Sequence, residues 1–260
     1  MITNIKLTSS PPVGEIILNA PEKRNAISVA MWAAIPDLVA KAVADTSIKV
    51  ILIHGGDAGA FAAGADISEF ETIYATPESA EASAVQIARA LDAVAACEKP
   101  VLAAIEGACV GGGVSLAMAA DIRIAAQGSK FGVTPGKLGL VYPAGDTQRL
   151  IQAVGPGATK EILFTGRIFA AEDAHELGLV DRLVDKGEAL QAAKDLAAEI
   201  ASISQWSVRA TKKMIRGLLN GGAPDDAGAW QLHLDGFQSE DFKEGYSAFL
   251  EKRPAKFTYK

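Results

Sequence analysis

The chain is poor in several residues that would tie it to common protein classes. Of its 260 residues only 2 are cysteine, 3 are histidine and 6% are aromatic. Cys97 and Cys109 cannot make a disulfide framework and do not form a CxxC pair, so a reducing cytoplasm suits them. No run of Lys or Arg occurs. The 25 basic and 31 acidic side chains leave a net charge of −6, without the clustered positive charge that a nucleic-acid groove or an anionic membrane surface needs. No apolar stretch approaches the roughly 20 residues of a membrane span. The opening MITNIKLTSSPP lacks a basic segment followed by an apolar one, so no signal peptide is expected. No grouping of His, Cys, Asp and Glu has metal-ligand spacing, so no metal site is expected. What is abundant is apolar surface: 49% hydrophobic against 22% charged residues, enough for a large core in one domain of enzyme size.

The pattern along the chain predicts an α/β body. Gly14–Leu18, Val50–Ile53, Val101–Ile105 and Asp121–Ala125 are short strand-like runs bounded by Gly, Asn, Asp or Pro. Ser28–Asp45 carries Met31, Ile35, Leu38, Val39, Ala42 and Val43 at helical spacing, with Pro36 expected to kink it. Thr76–Ala96 predicts a second helix, with Thr76 as N-cap and Pro77 at the first helical position. Beyond about residue 145 the strand signals fade. Helices are expected over Asp146–Val154, Ala158–Phe164, Ala170–Leu177 and Gly187–Ile203, with Gly166 and Gly178 as stops. Ser204–Leu219, Ala227–Leu234 and Ser239–Leu250 follow as a C-terminal helical layer, and Asn220–Asp226 is linker-like. Strands alternating with helices imply a mostly parallel sheet over residues 1–200, capped by helices over 201–260.

The strongest local feature is Gly107-Ala-Cys-Val-Gly111-Gly112-Gly113-Val-Ser115-Leu-Ala-Met-Ala-Ala-Asp121, placed after a buried strand and opening a helix. Glycines there allow close backbone approach and leave N–H groups facing a negative ligand atom. A dinucleotide loop of short-chain dehydrogenase type would lie near the N-terminus and come with a Tyr-x-x-x-Lys pair. Here Tyr74, Tyr142 and Tyr246 are followed four residues on by Glu78, Asp146 and Leu250. A nucleophile elbow would need its serine at the sharp turn directly after the strand; Ser115 lies well past Ile105, at a position expected inside the helix. The remaining readings are an oxyanion-binding turn or a tight strand–helix junction that needs small residues.

A second motif, Gly59-Ala-Phe-Ala-Ala63-Gly64-Ala65-Asp66-Ile67, tips this balance. The two segments together resemble the FxAGADI and GxxxGGGxxLxxxxD motifs of the crotonase (enoyl-CoA hydratase/isomerase) superfamily. Pro21-Glu-Lys-Arg-Asn25-Ala26, Asp121-Ile-Arg-Ile-Ala125, Phe131-Gly, Leu138-Gly139, Thr147-Gln-Arg-Leu150, Phe164-Thr-Gly166 and Gly178-Leu179-Val180 continue the likeness in order. The resemblance implies a ββα spiral core with C-terminal helices that pack on neighbouring subunits, as a homotrimer or a dimer of trimers. It implies an acyl-CoA substrate, with coenzyme A entering only as part of that substrate. The backbone N–H groups of Ala65 and Gly112 would form the oxyanion hole, Ala63, Gly64, Asp66 and Ile67 would border the adenine, and Lys23 and Arg24 would lie near the phosphates. Lys256 and Phe257 are candidates to approach coenzyme A from a neighbouring subunit.

The sequence also departs from that family's hydratases. The resemblance places their two catalytic glutamates at Ser115 and Pro135, and neither residue is a carboxylate. Proline transfers no proton, and a lone serine hydroxyl is a weak base. Thr134-Pro135, Leu138-Gly139 and Tyr142 are similar to the TPxxLGxxY stretch of the family's methylmalonyl-CoA decarboxylases, in which a tyrosine orients the leaving carboxylate; those enzymes carry a histidine where Ala65 stands. Among other ionisable residues, Asp66 is expected to cap a turn and Asp146 to N-cap its helix. Glu106 is expected in a structural hydrogen bond and His54 as a satisfied loop residue, while Glu69 is a candidate to reach the acyl pocket. A non-catalytic acyl-CoA-binding protein of the same fold is the alternative.

Overall fold

The computed structural model describes residues 4–259. The chain opens with a hairpin, β1 (Ile5–Ser10) and β2 (Val13–Leu18), followed by α1 (Val29–Ala44) and β3 (Val50–His54). Next come α2 (Phe70–Ile73), α3 (Pro77–Ala95), β4 (Val101–Ile105) and β5 (Ala108–Val110). Then α4 (Gly112–Ala119), β6 (Ile122–Ala126), β7 (Lys130–Gly132) and α5 (Ala144–Thr165) lead to β8 (Ile168–Ala170), α6 (Ala171–Glu176) and β9 (Arg182–Val184). Four helices close the chain: α7 (Ala189–Ser202), α8 (Gln205–Leu219), α9 (Ala227–Gln238) and α10 (Glu240–Leu250).

The main sheet runs β1-β2-β3-β4-β6-β9, with β1 antiparallel to β2 and every other pair parallel. Alternate side chains leave opposite faces of a strand, and here both faces are covered. Ile51, Ile53, Val101, Ala103 and Ile105 face the core shared with α1 and α3, whereas Val50, Leu52, Leu102 and Ala104 pack against Ala189, Ala193, Leu196 and Ala197 of α7. That is why these strands read as unbroken apolar runs rather than as alternation. A second, three-stranded sheet, β5-β7-β8, carries the glycine segment.

Both helix starts expected in the first half form as capped ends. Ser28 accepts from the Met31 N–H, and Thr76 and Ser79 make a reciprocal capping box. α1 runs on as one helix through Pro36, since burial of Met31, Trp32, Ile35, Val39 and Ala42 outweighs one missing hydrogen bond. Two expectations need correction. First, strands do occur beyond residue 145, but β8 and β9 have three residues each, too few to show a period. Second, β1 escaped notice because its second half is polar and exposed. The two helices expected over 146–164 are present inside α5, joined at Gly155, whose φ of +75° breaks the helical path.

Candidate active site

Three backbone hydrogen bonds bring the two glycine-bearing segments together. The Glu106 carbonyl accepts from the Phe61 N–H (2.7 Å), Ala108 accepts from Ala62 (2.9 Å), and Ala62 in turn accepts from Val110 (2.9 Å). Residues 61–62 thus lie beside β5 like an extra parallel strand. Only glycine fits at two of the contacts. A Cβ on Gly107, whose φ is +64°, would lie 2.0 Å from the Gly59 carbonyl oxygen, and one on Gly113 would lie 2.6 Å from that of Ala62. A bond from the Gly111 N–H to the Gly132 carbonyl (2.8 Å) ties the loop to β7.

This packing brings two backbone amides, those of Ala65 and Gly112, close together. Ile27 donates to Gly64 (2.7 Å) and accepts from Asp66 (3.2 Å), so the N–H of the intervening Ala65 points to the other side of that ladder. Gly112 is the first residue of α4, where an N–H has no partner within the helix. Neither amide donates to another group of the described residues. A Cβ on Gly112 would lie 3.8 Å from the Ala65 nitrogen and 3.2 Å from Cζ2 of the Trp32 ring, so these groups border the same site.

One turn along α4 from Gly112, the buried Ser115 joins α4 to the loop residue Tyr142 and to α5. Its Oγ lies 2.8 Å from the Tyr142 hydroxyl and donates to Asp146 Oδ2 at 2.9 Å. The other Asp146 oxygen accepts from Arg149 (3.0 Å), which also holds Asp92 (2.6 Å). Burial pushes the Asp146 carboxyl above its ordinary range, although Ser115 and Arg149 pull the other way. Burial likewise pushes the Tyr142 phenol up, with the Asp146 charge adding to it. The expectation that Asp146 caps α5 is therefore corrected. Pro143 occupies the cap, and Asp146 turns its carboxylate inward from the first turn. The signal was present in the proline, which with its fixed φ and missing N–H belongs at or just before a helix start and so leaves the residue three further on inside the helix. Pro135 opens a 3₁₀ turn, Pro135–Leu138, and its carbonyl accepts from Leu140 (3.0 Å); no hydrogen bond connects it to the Ser115 group.

Beside the amides, residues 23–27 and 63–68 form a second cluster. Ala63 donates to the Arg24 carbonyl (3.0 Å), and the Lys23 ammonium meets Asp66 at 2.5 Å. Asp66 also caps the short turn Ile67–Glu69 by accepting from Ser68, as expected. Lys23, Arg24 and Ile67 are exposed, the last at 73%. Lys256 and Phe257 lie elsewhere, in the tail beside α10, where the Lys256 N–H donates to Glu244 (2.6 Å). The remaining carboxylates are engaged structurally. Glu106 accepts from the Ala189 N–H at the start of α7 (3.1 Å). Glu69 accepts from the Val29 N–H at the start of α1 (2.8 Å), so its carboxylate is committed to that helix end. His54, at the end of β3, lies 3.1 Å from Glu15 and accepts from the Gly56 N–H.

A mixed α/β fold whose two glycine segments present adjacent free amides defines a class, and the comparisons with known proteins agree on it. Residues 8–260 match the family model described as enoyl-CoA hydratase/isomerase. A crystal structure of a protein assigned to that family from Hyphomonas neptunium is 70% identical, with TM-score 0.98 over 99% of this chain and 98% of that one. An enoyl-CoA hydratase/carnithine racemase from Magnetospirillum magneticum superposes with TM-score 0.95 at 35% identity, over 100% of this chain and 97% of that one. A crotonyl-CoA hydratase from Syntrophomonas wolfei is 36% identical over 99% of this chain and 98% of its own length. The chain belongs to the enoyl-CoA hydratase/isomerase family and has the crotonase fold.

Proposed function

We propose that this enzyme binds an acyl-CoA and stabilises a thioester enolate between the backbone N–H groups of Ala65 and Gly112. A carbanion beside a thioester survives only if its charge moves onto oxygen, where two fixed donors can hold it without reorganising. The observation that carries the reading is the pair of adjacent amides that donate to no other group of the described residues. Coenzyme A would run along the second cluster, its adenine against Ala63–Ile67 and its phosphates near Lys23 and Arg24. The paired Lys23 and Asp66 offer a cation whose side chain is still 46% exposed.

Ser115 and Pro135 occupy the positions that the resemblance gives to the hydratases' glutamates, so the reaction we assign is loss of carbon dioxide or another lyase or isomerase step. Tyr142 would orient the departing or migrating group. Because Ser115 and Pro135 also suit a protein that has lost its chemistry, binding of acyl-CoA without turnover is the second reading. On the same reading the protein would work in the cytoplasm as a homotrimer or dimer of trimers, assembled through residues 201–260. Incubation with crotonyl-CoA, a 3-enoyl-CoA and methylmalonyl-CoA, read by mass, decides the reaction; decarboxylation or isomerisation is expected, and efficient hydration of crotonyl-CoA would overturn that choice. Gly112→Pro removes one amide, and its expected effect is a hundred- to a thousand-fold loss of turnover, roughly what one such donor contributes, with affinity for free coenzyme A kept. Full activity in that variant would reject the site itself.

A further inference from the structure

We infer that Asp146 is the proton reservoir of this site, acting on the acyl group through Ser115 and Tyr142. The inference rests on the enolate reading above and adds to it the source and sink of the proton. The geometry is a single line of three oxygens: Tyr142 hydroxyl to Ser115 Oγ at 2.8 Å, and Ser115 Oγ to Asp146 Oδ2 at 2.9 Å. Its anchor lies one turn from the Gly112 amide. Residues three apart share a helix face, and side chains lean toward the helix start; Ser115 Oγ does so, at 3.5 Å from the Gly111 carbonyl.

Two proton arrangements satisfy this line, and they differ by one proton. With Asp146 ionised, Ser115 donates to the carboxylate and Tyr142 donates to Ser115, which leaves a lone pair of the Tyr142 oxygen to accept. With Asp146 protonated, its hydroxyl donates to Ser115, Ser115 donates to Tyr142, and the Tyr142 O–H is free to donate. In the first arrangement the phenol takes a proton from the α-carbon as its own proton passes to Ser115 and that of Ser115 passes to Asp146; the C–H electron pair becomes the enolate. In the reverse direction the enolate carbon takes the phenol proton and Asp146 ends ionised. No oxidant or co-reactant is needed.

The surroundings suit such a group. Asp146 is 5% exposed, and the charged or titratable groups near it are Arg149 on its own helix, Asp92 on α3, reached through Arg149, Tyr142, and Cys109 on β5 beyond Tyr142. A buried carboxyl held by one cation is poised to exchange a proton, whereas a fully solvated one would lie far from the pH at which it is needed. Asp146 is a positioning residue in this scheme, and Tyr142 is the group that meets the substrate.

The test is deuterium uptake at the α-carbon of butyryl-CoA in heavy water, followed by mass over a range of pH, for the wild type and for Asp146→Asn, Ser115→Ala and Tyr142→Phe. Wild-type uptake is expected, with a loss of about a hundred-fold or more in each variant, and with coenzyme A affinity retained. The acid limb of the wild-type profile should vanish in Asp146→Asn, which a purely structural aspartate would not produce. Uptake in Asp146→Asn with the wild-type rate and profile would overturn the relay. If Asp146→Asn does not fold, Ser115→Ala decides, since normal uptake there breaks the line equally. Absence of uptake in the wild type together with no turnover of the three acyl-CoA probes would instead reject the enolate reading beneath it.

Discussion

Asp146 shows how one residue can bind stability and reactivity together. Burial raises its carboxyl above the ordinary 3.8, so the folded chain keeps a proton that the unfolded chain has already released. The folded state then binds more protons over that interval, and its stability must fall as pH rises. The contribution is fully present below the ordinary carboxylate value and is lost as pH climbs through the raised one. The urea midpoint of the wild type relative to Asp146→Asn should therefore decline from acid toward neutral pH; a difference that stays constant would refute the assignment. Sequence reading had found the neighbours of Asp146 but not its role. Ser115 and Tyr142 stood out by resemblance, whereas the contact that joins Ser115 to Asp146 spans 31 positions and leaves no local trace.

At the scale of elements, the glycine segments act as spacers between backbones. Gly107→Ala would force a side chain into a left-handed conformation and against the Gly59 carbonyl at 2.0 Å. We expect it to cost about 2 kcal/mol or more and to lower turnover by moving Ala65 away from Gly112. Gly59→Ala, with no neighbour within 4 Å of its added Cβ, carries only the strain of its φ of +62° and should cost less. Equal denaturation midpoints for the two variants would contradict this account. The helices themselves were largely legible, since α1, α3 and α7 to α10 follow periodicity and, in all of these but α7, a side-chain cap, signals that act within one turn. The three-residue strands of the second sheet were not, because a pairing partner, and not their own residues, makes them strands.

The whole molecule leaves unusual apolar surface in water. Val141 is 92% exposed, and Phe164 and Phe249 are each 82% exposed. Trp230, His233, Phe237, Phe242 and Tyr246 form a continuous row of ring contacts along α9 and α10. Surface of this kind in a stable chain marks a contact with another molecule, and closed symmetry is the usual way for identical chains to bury it. Light scattering is expected to give three or six times the chain mass for the wild type, and Phe249→Glu together with Phe164→Glu should shift that mass toward a single chain. A wild type that runs as one chain at micromolar concentration would count against the assembly.

By itself the sequence determined the class of fold and the positions of most helices, and it singled out Ala65 and Gly112 as candidates, because each depends on residues a few positions apart or on short glycine motifs where backbones touch. It also determined what stands at Ser115 and Pro135. Only the tertiary structure decided that Ala65 and Gly112 border one space, that Glu69 and Glu106 are committed to helix ends, and that Asp146 turns inward to Ser115 and Tyr142. Those outcomes depend on contacts between segments far apart in the chain, and the energy of such contacts is set by the packing of the whole core.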